Sequence, residues 1–436
     1  MSARTLPKGD HARPHHSRLP GGTTSVAIAH VAGQALAVVT AVVLARRLGA
    51  AGFGVYAVAI AGIYVLNVVT TFGTDMVLVR EIARDRRLER CVDALALQTL
   101  LSVVAIAVVF SLTAALGGTG GEYVTPLQIF SWSLIAAACY SVASATLRGL
   151  ERMREYAALV VLAASVPLAG VVVFVPRGAG PVRALAILLI AQLAVAAVAI
   201  GVVMAVAGRT RPALHTTRRR IVGVARESSE IGALGMLGVL SQRLALIGVA
   251  VFAGPSASGW YSGAARVVEA SKVGHVALGT AALPLMAQHA TDNGRADRHV
   301  RQARVRRSWI VALALAGGIA IALATVGPQV LERLYGPGFR PSRRALQVLA
   351  LGVIPSTTIT FRSLELLAMR REREVMRVTV CCLGVLVLGI AVLVPASGWI
   401  GACWAGVAAD VFGAAALSRH RIPMSSRARR AREVLA

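Results

Sequence analysis

Charged residues are scarce in this chain of 436 residues. Only 15% are Asp, Glu, Lys or Arg, whereas 56% are hydrophobic, and the mean hydropathy is +0.68. Soluble globular domains carry about 25% charged residues, so this composition excludes a soluble fold of such length. The sequence therefore predicts a membrane protein.

Several motifs are also absent, and each absence narrows the function. The five cysteines match no metal-binding spacing and imply no disulfide. The chain has no Gly-x4-Gly-Lys-Ser/Thr phosphate loop and no loop with paired metal-binding acids, so we expect no cofactor, no metal and no direct use of ATP. The connections between apolar runs are too short to form a catalytic domain. The sequence therefore favours a protein that is not an enzyme.

Acidic residues are few, and the excess of Lys and Arg gives a net charge of +26. Because short basic loops stay on the cytoplasmic side during insertion, the distribution of these residues predicts orientation. Most of them lie in seven segments, at 1–23, 80–91, 148–155, 208–227, 290–307, 370–377 and 418–436. This pattern predicts a multi-pass protein of the cytoplasmic (inner or plasma) membrane with both termini in the cytoplasm. Charge spread over short loops indicates contact with anionic membrane lipids and not with nucleic acid.

Twelve apolar stretches are long enough to cross a bilayer. They lie at 24–46, 54–78, 92–116, 124–147, 156–176, 182–207, 228–253, 259–287, 308–333, 342–369, 375–395 and 398–418. Residues 1–23 and 419–436 are predicted to be basic cytoplasmic tails, the first of them disordered, and 208–227 a basic cytoplasmic connector. The predicted fold is all-α, with about twelve transmembrane helices in two six-helix lobes at 24–207 and 228–418.

The two predicted lobes share a short repeat with the pattern G-x4-G-x-Y. It begins at Gly49 and ends at Tyr56 in the first lobe, and it runs from Gly254 to Tyr261 in the second. Glycines suit a tight turn, and the tyrosines are expected to anchor at the membrane interface. Because each lobe contains an even number of spans, we expect a pseudo-twofold axis along the membrane normal and a substrate path between the lobes.

Several stretches carry a family resemblance, in the order and spacing that the family shows: 45–56, Gly73, 79–84, 241–243, 259–269, 283–285, 334–339 and 346–350. They resemble the polysaccharide flippases of the multidrug/oligosaccharidyl-lipid/polysaccharide exporter superfamily. The resemblance implies a flippase that moves a lipid-linked oligosaccharide precursor of cell-surface polysaccharide, lipopolysaccharide included, across the membrane by alternating access. It implies a polyprenyl phosphate or pyrophosphate carrier as the binding partner, and it suggests a polysaccharide polymerase and glycosyltransferases as further partners.

Alternatives from the same and from other classes stay open. A cation-coupled multidrug exporter of the superfamily would favour acidic groove residues. A membrane glycosyltransferase or acyltransferase would need an acidic or His-containing loop motif, which the chain lacks. A scaffold that recruits partners through basic tails would not need intramembrane cations.

Four charged side chains of the seventh and eighth spans are the main candidates for substrate binding: Arg243, Arg266, Glu269 and Lys272. A cation at the centre of a membrane helix costs roughly 2.5–3.5 kcal/mol in lipid, so such residues face an interior or a water-filled cavity. There they could hold the substrate phosphate through charge-assisted hydrogen bonds. Glu269 lies three residues from both Arg266 and Lys272 and is expected to pair with either.

Other intramembrane polar residues are candidates for lining the groove or coupling an ion. His30 and Gln34 lie one helical turn apart and could both face the groove. Asp410, in the last span, is the best isolated carboxylate for ion coupling. Arg362 has Glu365 three residues on, which favours an ion pair near the inner surface.

Overall fold

The computed structural model describes residues 20–86, 88–115, 121–207, 218–271, 295–368 and 371–419. Regular secondary structure in these ranges is entirely helical. The helices of the first half are α1 (Pro20–Thr71), α2 (Thr74–Asp85), α3 (Glu89–Ala115), α4 (Gly121–Ser131), α5 (Ser133–Gly149), α6 (Met153–Phe174) and α7 (Pro181–Ala207). The second half contains α8 (Arg218–Ser271), α9 (Arg295–Thr325), α10 (Gly327–Tyr335), a 3-10 turn (Pro337–Phe339), α11 (Ser342–Leu351), α12 (Val353–Ala368), α13 (Glu372–Ser397) and α14 (Trp399–Arg419).

Eight of the described helical stretches are long and apolar enough to cross a membrane, and the number rises to ten if two bent pairs each count as one span. The bent pairs are α9 with α10, at 58°, and α11 with α12, at 41°. The predicted fold class, an all-α polytopic membrane protein, is confirmed.

Helix α8 reverses direction at Gly254. It contains 54 residues, which would extend about 81 Å if straight, more than twice the ~30 Å bilayer core. Gly254 has φ 81°, a left-handed conformation that suits glycine. Arg243 and Glu269, 26 residues apart on either side of this turn, are joined by an ion pair of 3.2 Å. Helix α8 therefore supplies two antiparallel membrane segments, 218–253 and 255–271.

Helix α1 reverses in the same way at Gly49, where φ is 69°. In its first segment, 20–48, His30 and Arg47 contact Tyr156 and Val171, so this segment runs parallel to α6. The second segment, 50–71, runs antiparallel to the first segment of α8, because Gly54 lies against Pro255, Tyr64 against Arg243 and Phe72 against Gly232. The arrangement is consistent with twelve spans.

The boundaries differ in places from those predicted. The second span was predicted at 54–78, but its helix ends at Thr71, and Gly73 (φ 70°) starts the separate helix α2. The predicted lobe limits and the pseudo-twofold axis remain predictions. Residues 218–227, predicted as part of the connector, instead form the start of α8. The rest of the connector, 208–217, and most of the two tails lie outside the described residues.

The two halves of the chain meet mainly where segment 50–71 of α1 packs against α8. One end of this interface holds the turns at Gly49 and Gly254, and we call it the Gly49 end. The other holds α2 and the start of α3, and we call it the Arg90 end. A cavity lies between the two ends.

Candidate functional site

The cavity has a volume of about 700 Å³ and is lined by segment 20–48 of α1, both segments of α8, and α11 to α14. Pockets that hold drug-sized molecules measure roughly 300–1,000 Å³. Its polar and charged lining residues are Gln34, Ser241, Gln242, Arg243, Tyr261, Arg266, Glu269, Ser356, Thr360, Thr379 and Asp410. The second half of the chain contributes all of them except Gln34.

Arg243 and Glu269 both lie in the wall of this cavity and form an ion pair with each other. Arg243 donates to the Glu269 carboxylate at 3.2 Å, and its guanidinium also lies 5.3 Å from the centre of the Tyr64 ring. The pairing expected for Glu269, with Arg266 or Lys272 on the same helix segment, is therefore wrong for Arg266. The reversal at Gly254 brings Arg243 closer. Both charged groups retain contact with the cavity, because 28% of the Arg243 side chain and 45% of the Glu269 side chain are exposed.

Arg266 links the cavity to the first half of the chain. Its guanidinium carbon lies 5.6 Å from the centre of the Phe53 ring and 5.5 Å from that of Tyr56, both in segment 50–71 of α1. A guanidinium within about 6 Å of an aromatic ring is attracted by the ring quadrupole. Arg266 therefore lines the cavity and contacts the opposite half at the same time.

Buried aromatic rings pack between Arg266 and the turns of the Gly49 end. Phe53 lies 5.8 Å from Phe339 and 6.0 Å from Tyr335, between ring centres, and Tyr335 and Phe339 are 5.3 Å apart. All three side chains are buried, as is Tyr56. We call Phe53, Tyr56, Tyr335 and Phe339 the aromatic cluster. The expectation that Tyr56 and Tyr261 anchor at the membrane interface is wrong, since both are buried and Tyr261 lines the cavity.

Sequence reasoning missed the aromatic cluster, although its parts were visible. Phe53 and Tyr56 belong to the glycine repeat, and the other two rings belong to the stretch Leu-Tyr-Gly-Pro-Gly-Phe at 334–339. The first stretch predicts only a turn and an interfacial anchor, and the second carries only the family resemblance. Their glycines were a usable signal, because positions where backbones approach closely require glycine.

The other candidates lie in different environments. Gln34 and Asp410 both line the cavity, and Gly352 packs against the Asp410 carboxylate. His30 is not among the lining residues of this cavity; it lies against Tyr156 of α6, with 3.3 Å between its Nε2 and the tyrosine oxygen. His30 and Gln34 are one helical turn apart, but Gln34 lines the cavity and His30 lies at the contact between α1 and α6.

Arg362 forms the ion pair predicted from its spacing, donating to Glu365 at 2.8 Å. Its guanidinium also lies 5.5 Å from the Trp309 ring centre. Arg362 does not belong to the lining of the described cavity. The prediction for Lys272 falls outside the described residues.

In the described ranges, no group of three or more His, Cys, Asp or Glu side chains is placed to hold a metal ion. The charged lining that the structure describes consists of two guanidiniums and two carboxylates. Such a lining can bind an anion through Arg243 and Arg266, or a cation through Glu269 and Asp410.

The fold is shared with solved structures, two of which are described as transporters of the MOP superfamily. It is similar to the lipid II flippase MurJ in an inward closed conformation, with 12% sequence identity over 92% of this chain and 88% of that chain and a TM-score of 0.73. It is also similar to a multidrug resistance MATE family transporter in an inward-facing conformation, with 17% identity, 89% and 96% coverage, and a TM-score of 0.64.

A third similar structure is a MOP superfamily transporter from Pyrococcus furiosus, described as having a binding pocket of reverse polarity. It shares 15% identity over 91% of this chain and 93% of that chain, with a TM-score of 0.63. A comparison with curated protein sequences finds no match. The sequence profile of the polysaccharide biosynthesis protein family matches residues 21–290, more than half of the chain. The chain belongs to this family.

Proposed function

We propose that the protein is a flippase that exports a lipid-linked oligosaccharide precursor of cell-surface polysaccharide across the cytoplasmic membrane. The observation that carries the proposal is a polar intramembrane cavity with Arg243 and Arg266 in its wall, in a chain of the polysaccharide biosynthesis family. The fold shared with the lipid II flippase MurJ supports it.

The chemistry of such a substrate explains why a cavity is needed. Each polar group without a hydrogen-bond partner costs several kcal/mol in hydrocarbon, so a chain of sugar hydroxyls on a phosphate does not cross a bilayer unaided. A polar cavity removes this cost while the polyprenyl tail stays in lipid. Arg243 and Arg266 would hold the phosphate or pyrophosphate, and the serine and threonine hydroxyls would bind sugar.

The energy need not come from ATP. Two negative charges that move outward across about 100 mV, inside negative, release roughly 4–5 kcal/mol. Asp410 supports coupling to a cation as an additional source, because it is a carboxylate in the cavity wall.

We propose that the Arg90 end faces the cytoplasm. Four described basic segments lie at this end, namely those around Arg90, Arg152, Arg220 and Arg371. The aromatic cluster then closes the cavity towards the outer face.

The test measures transport by purified protein in vesicles. The substrate is a fluorescent polyprenyl diphosphate oligosaccharide in the inner leaflet, and an impermeant reagent added outside quenches the molecules that reach the outer leaflet. We expect Arg243→Gln to slow transport about 10- to 150-fold, the equivalent of one charge-assisted contact of roughly 1.5–3 kcal/mol. Arg362→Gln is the matched control, because it removes an intramembrane arginine that lies outside the cavity lining.

The ion pair allows a sharper version of this test. If Arg243 serves only to neutralise Glu269, the double variant Arg243→Gln/Glu269→Gln restores transport. If Arg243 binds the phosphate, the double variant stays as slow as Arg243→Gln. Restored transport, or equal rates in protein-containing and empty vesicles, would contradict the proposal.

A multidrug exporter is the second candidate, favoured by the carboxylates of Glu269 and Asp410 in the same cavity. It predicts transport of a lipophilic cationic dye that Asp410→Asn abolishes. Dye transport without transport of the lipid-linked oligosaccharide would replace the first proposal with this one.

A further inference from the structure

A second cavity, of about 600 Å³, lies at the Gly49 end between segment 20–48 of α1 and the turn from α6 to α7. Its wall contains four arginines, Arg46, Arg47, Arg177 and Arg183, together with the chain from 172 to 176. It shares no lining residue with the central cavity. It is therefore a separate feature of the molecule.

Two of these guanidiniums are held in place by backbone carbonyls. Arg47 donates to the carbonyls of Val171, Val172 and Val175 at the end of α6, at 2.7 Å and 2.9 Å for the first two. In return, the Gly178 N–H donates to the Arg47 carbonyl at 2.8 Å. These bonds fix the turn on which Arg177 lies to the helix that carries Arg46 and Arg47.

Arg46 is held in the same manner by the second half of the chain. Its Nε and Nη2 donate to the carbonyls of Leu334 and Arg333, each at 2.6 Å. A carbonyl fixes a guanidinium but does not neutralise it, so Arg46 and Arg47 both keep their positive charge. The guanidiniums of Arg46 and Arg47 are therefore held in fixed positions in the cavity wall before any ligand binds.

The described residues supply no carboxylate to balance this charge: none of the ion pairs among them involves any of the four arginines. At the same end of the molecule, Arg340 and Arg343 share Glu332, with 2.8 Å from Arg340 to the carboxylate. Arg183 moreover lies in the first turn of α7, where the helix dipole is already positive. Like charges this close repel each other unless an anion lies between them.

We propose that this cavity is a binding site for the phosphate of a membrane lipid. The guanidinium fork matches phosphate oxygens in bidentate geometry. A lipid is favoured over a soluble anion because Val172, Val173 and Phe174 are exposed directly beside the arginines, with 69% of Val173 accessible. The arginines would take the phosphate, and these apolar side chains would contact the hydrocarbon chain. The site does not depend on the proposed function.

The test uses the full-length protein, purified in detergent and stripped of lipid. Its melting temperature is measured during titration with phosphatidylglycerol, polyprenyl phosphate, phosphatidylcholine or inorganic phosphate. A ligand that binds only the folded protein raises the melting temperature in a concentration-dependent way. We expect a rise of several degrees with one or both anionic lipids, at lower concentrations than with the other two ligands. The more potent anionic lipid identifies the source of the phosphate.

The variant Arg177→Gln/Arg183→Gln removes two exposed arginines and leaves the carbonyl-bound pair, Arg46 and Arg47, intact, so folding should be preserved. We expect at least a tenfold higher lipid concentration for the half-maximal shift. The matched control is Arg340→Gln/Arg344→Gln, which removes the same charge at the same end but outside the cavity lining and should behave like the unchanged protein. Arg177→Lys/Arg183→Lys, which keeps the charge but not the fork, should give an intermediate value.

Equal titration curves for the two glutamine variants would overturn the site, since lipid contact would then reflect general surface charge. A shift with inorganic phosphate at the same concentrations would overturn its assignment to a lipid. A shift with phosphatidylcholine equal to that with phosphatidylglycerol would overturn selection for a net negative headgroup.

Discussion

The two ends of the interface between the chain halves share one feature and differ in another. Each contains a close backbone approach: Gly54 lies against Pro255 and Gly259 at the Gly49 end, and Phe72 lies against Gly232 at the Arg90 end. The Gly49 end adds the buried aromatic cluster. The Arg90 end adds exposed ion pairs.

Because of this difference, we expect the two halves of the chain to be held together more firmly at one end than at the other. Buried aromatic pairs contribute about 0.5–1.5 kcal/mol each beyond the area they bury. Exposed ion pairs contribute about 0–1 kcal/mol and are weakened by salt. Arg90 pairs with Glu227 at 3.1 Å, and Arg220 with Glu89 at 3.7 Å, with roughly half of each side chain exposed. We therefore expect the Arg90 end to separate more readily than the Gly49 end.

The largest expected effect concerns which end faces the outside. In a cysteine-free background, Ala396→Cys places an exposed thiol at the Gly49 end, and Arg84→Cys places one at the Arg90 end. We expect an impermeant thiol reagent to label position 396 in intact cells and position 84 only after lysis. Labelling of position 84 in intact cells would reverse the proposed orientation.

The second-largest effect is expected from the substitution Gly54→Ala, which should lower the melting temperature. A Cβ at this position would lie 2.7 Å from the Gly259 nitrogen and overlap the Pro255 carbonyl, so the halves must move apart. Overpacking of this kind costs roughly 1–3 kcal/mol, and backbone on both sides places the cost near the upper value. We expect a clear loss of melting temperature. The matched control is Gly201→Ala, which meets no atom within 4 Å; an equal loss in both variants would contradict the close approach.

A smaller effect is expected from Arg266→Gln, which removes the cation that the cavity shares with the aromatic cluster. Because one guanidinium faces both Phe53 and Tyr56, we take about 0.5–2 kcal/mol for the two contacts together. Opening of the Gly49 end should therefore become about 2- to 30-fold more frequent, measured as faster labelling of Gln34→Cys by an impermeant reagent applied from that side. Arg362→Gln also removes a cation–π contact, to Trp309, but away from the cavity. Equal labelling rates in the two variants would show that Arg266 does not hold this end closed.

Only some of the contacts on which these predictions rest can be predicted from the sequence. Apolar length predicts the membrane segments, because the bilayer sets the length of a helix. The pair Arg362–Glu365 follows from spacing along one helix. The pair Arg243–Glu269 does not, since its register depends on how the helix reverses at Gly254. The aromatic cluster joins three separate stretches, and their contact depends on tertiary packing, which periodicity does not encode.

The smallest expected effect is that of Arg90→Gln, and it tests the weaker end directly. Arg90 contacts Glu227 of the other half and Glu81 of its own half. Burial raises the pKa of the Glu81 carboxyl, although Arg90 opposes this, so Glu81 loses stabilisation of its charged form in the variant. Because nearly half of the Arg90 and Glu227 side chains is exposed, we expect the melting temperature to fall by less than about 2 °C at low salt. The difference should vanish near 0.5 M NaCl, where screening acts over about 4 Å. A loss as large as that of Gly54→Ala, or one that persists at high salt, would mean that the ion pairs hold the Arg90 end as firmly as the aromatic cluster holds the other.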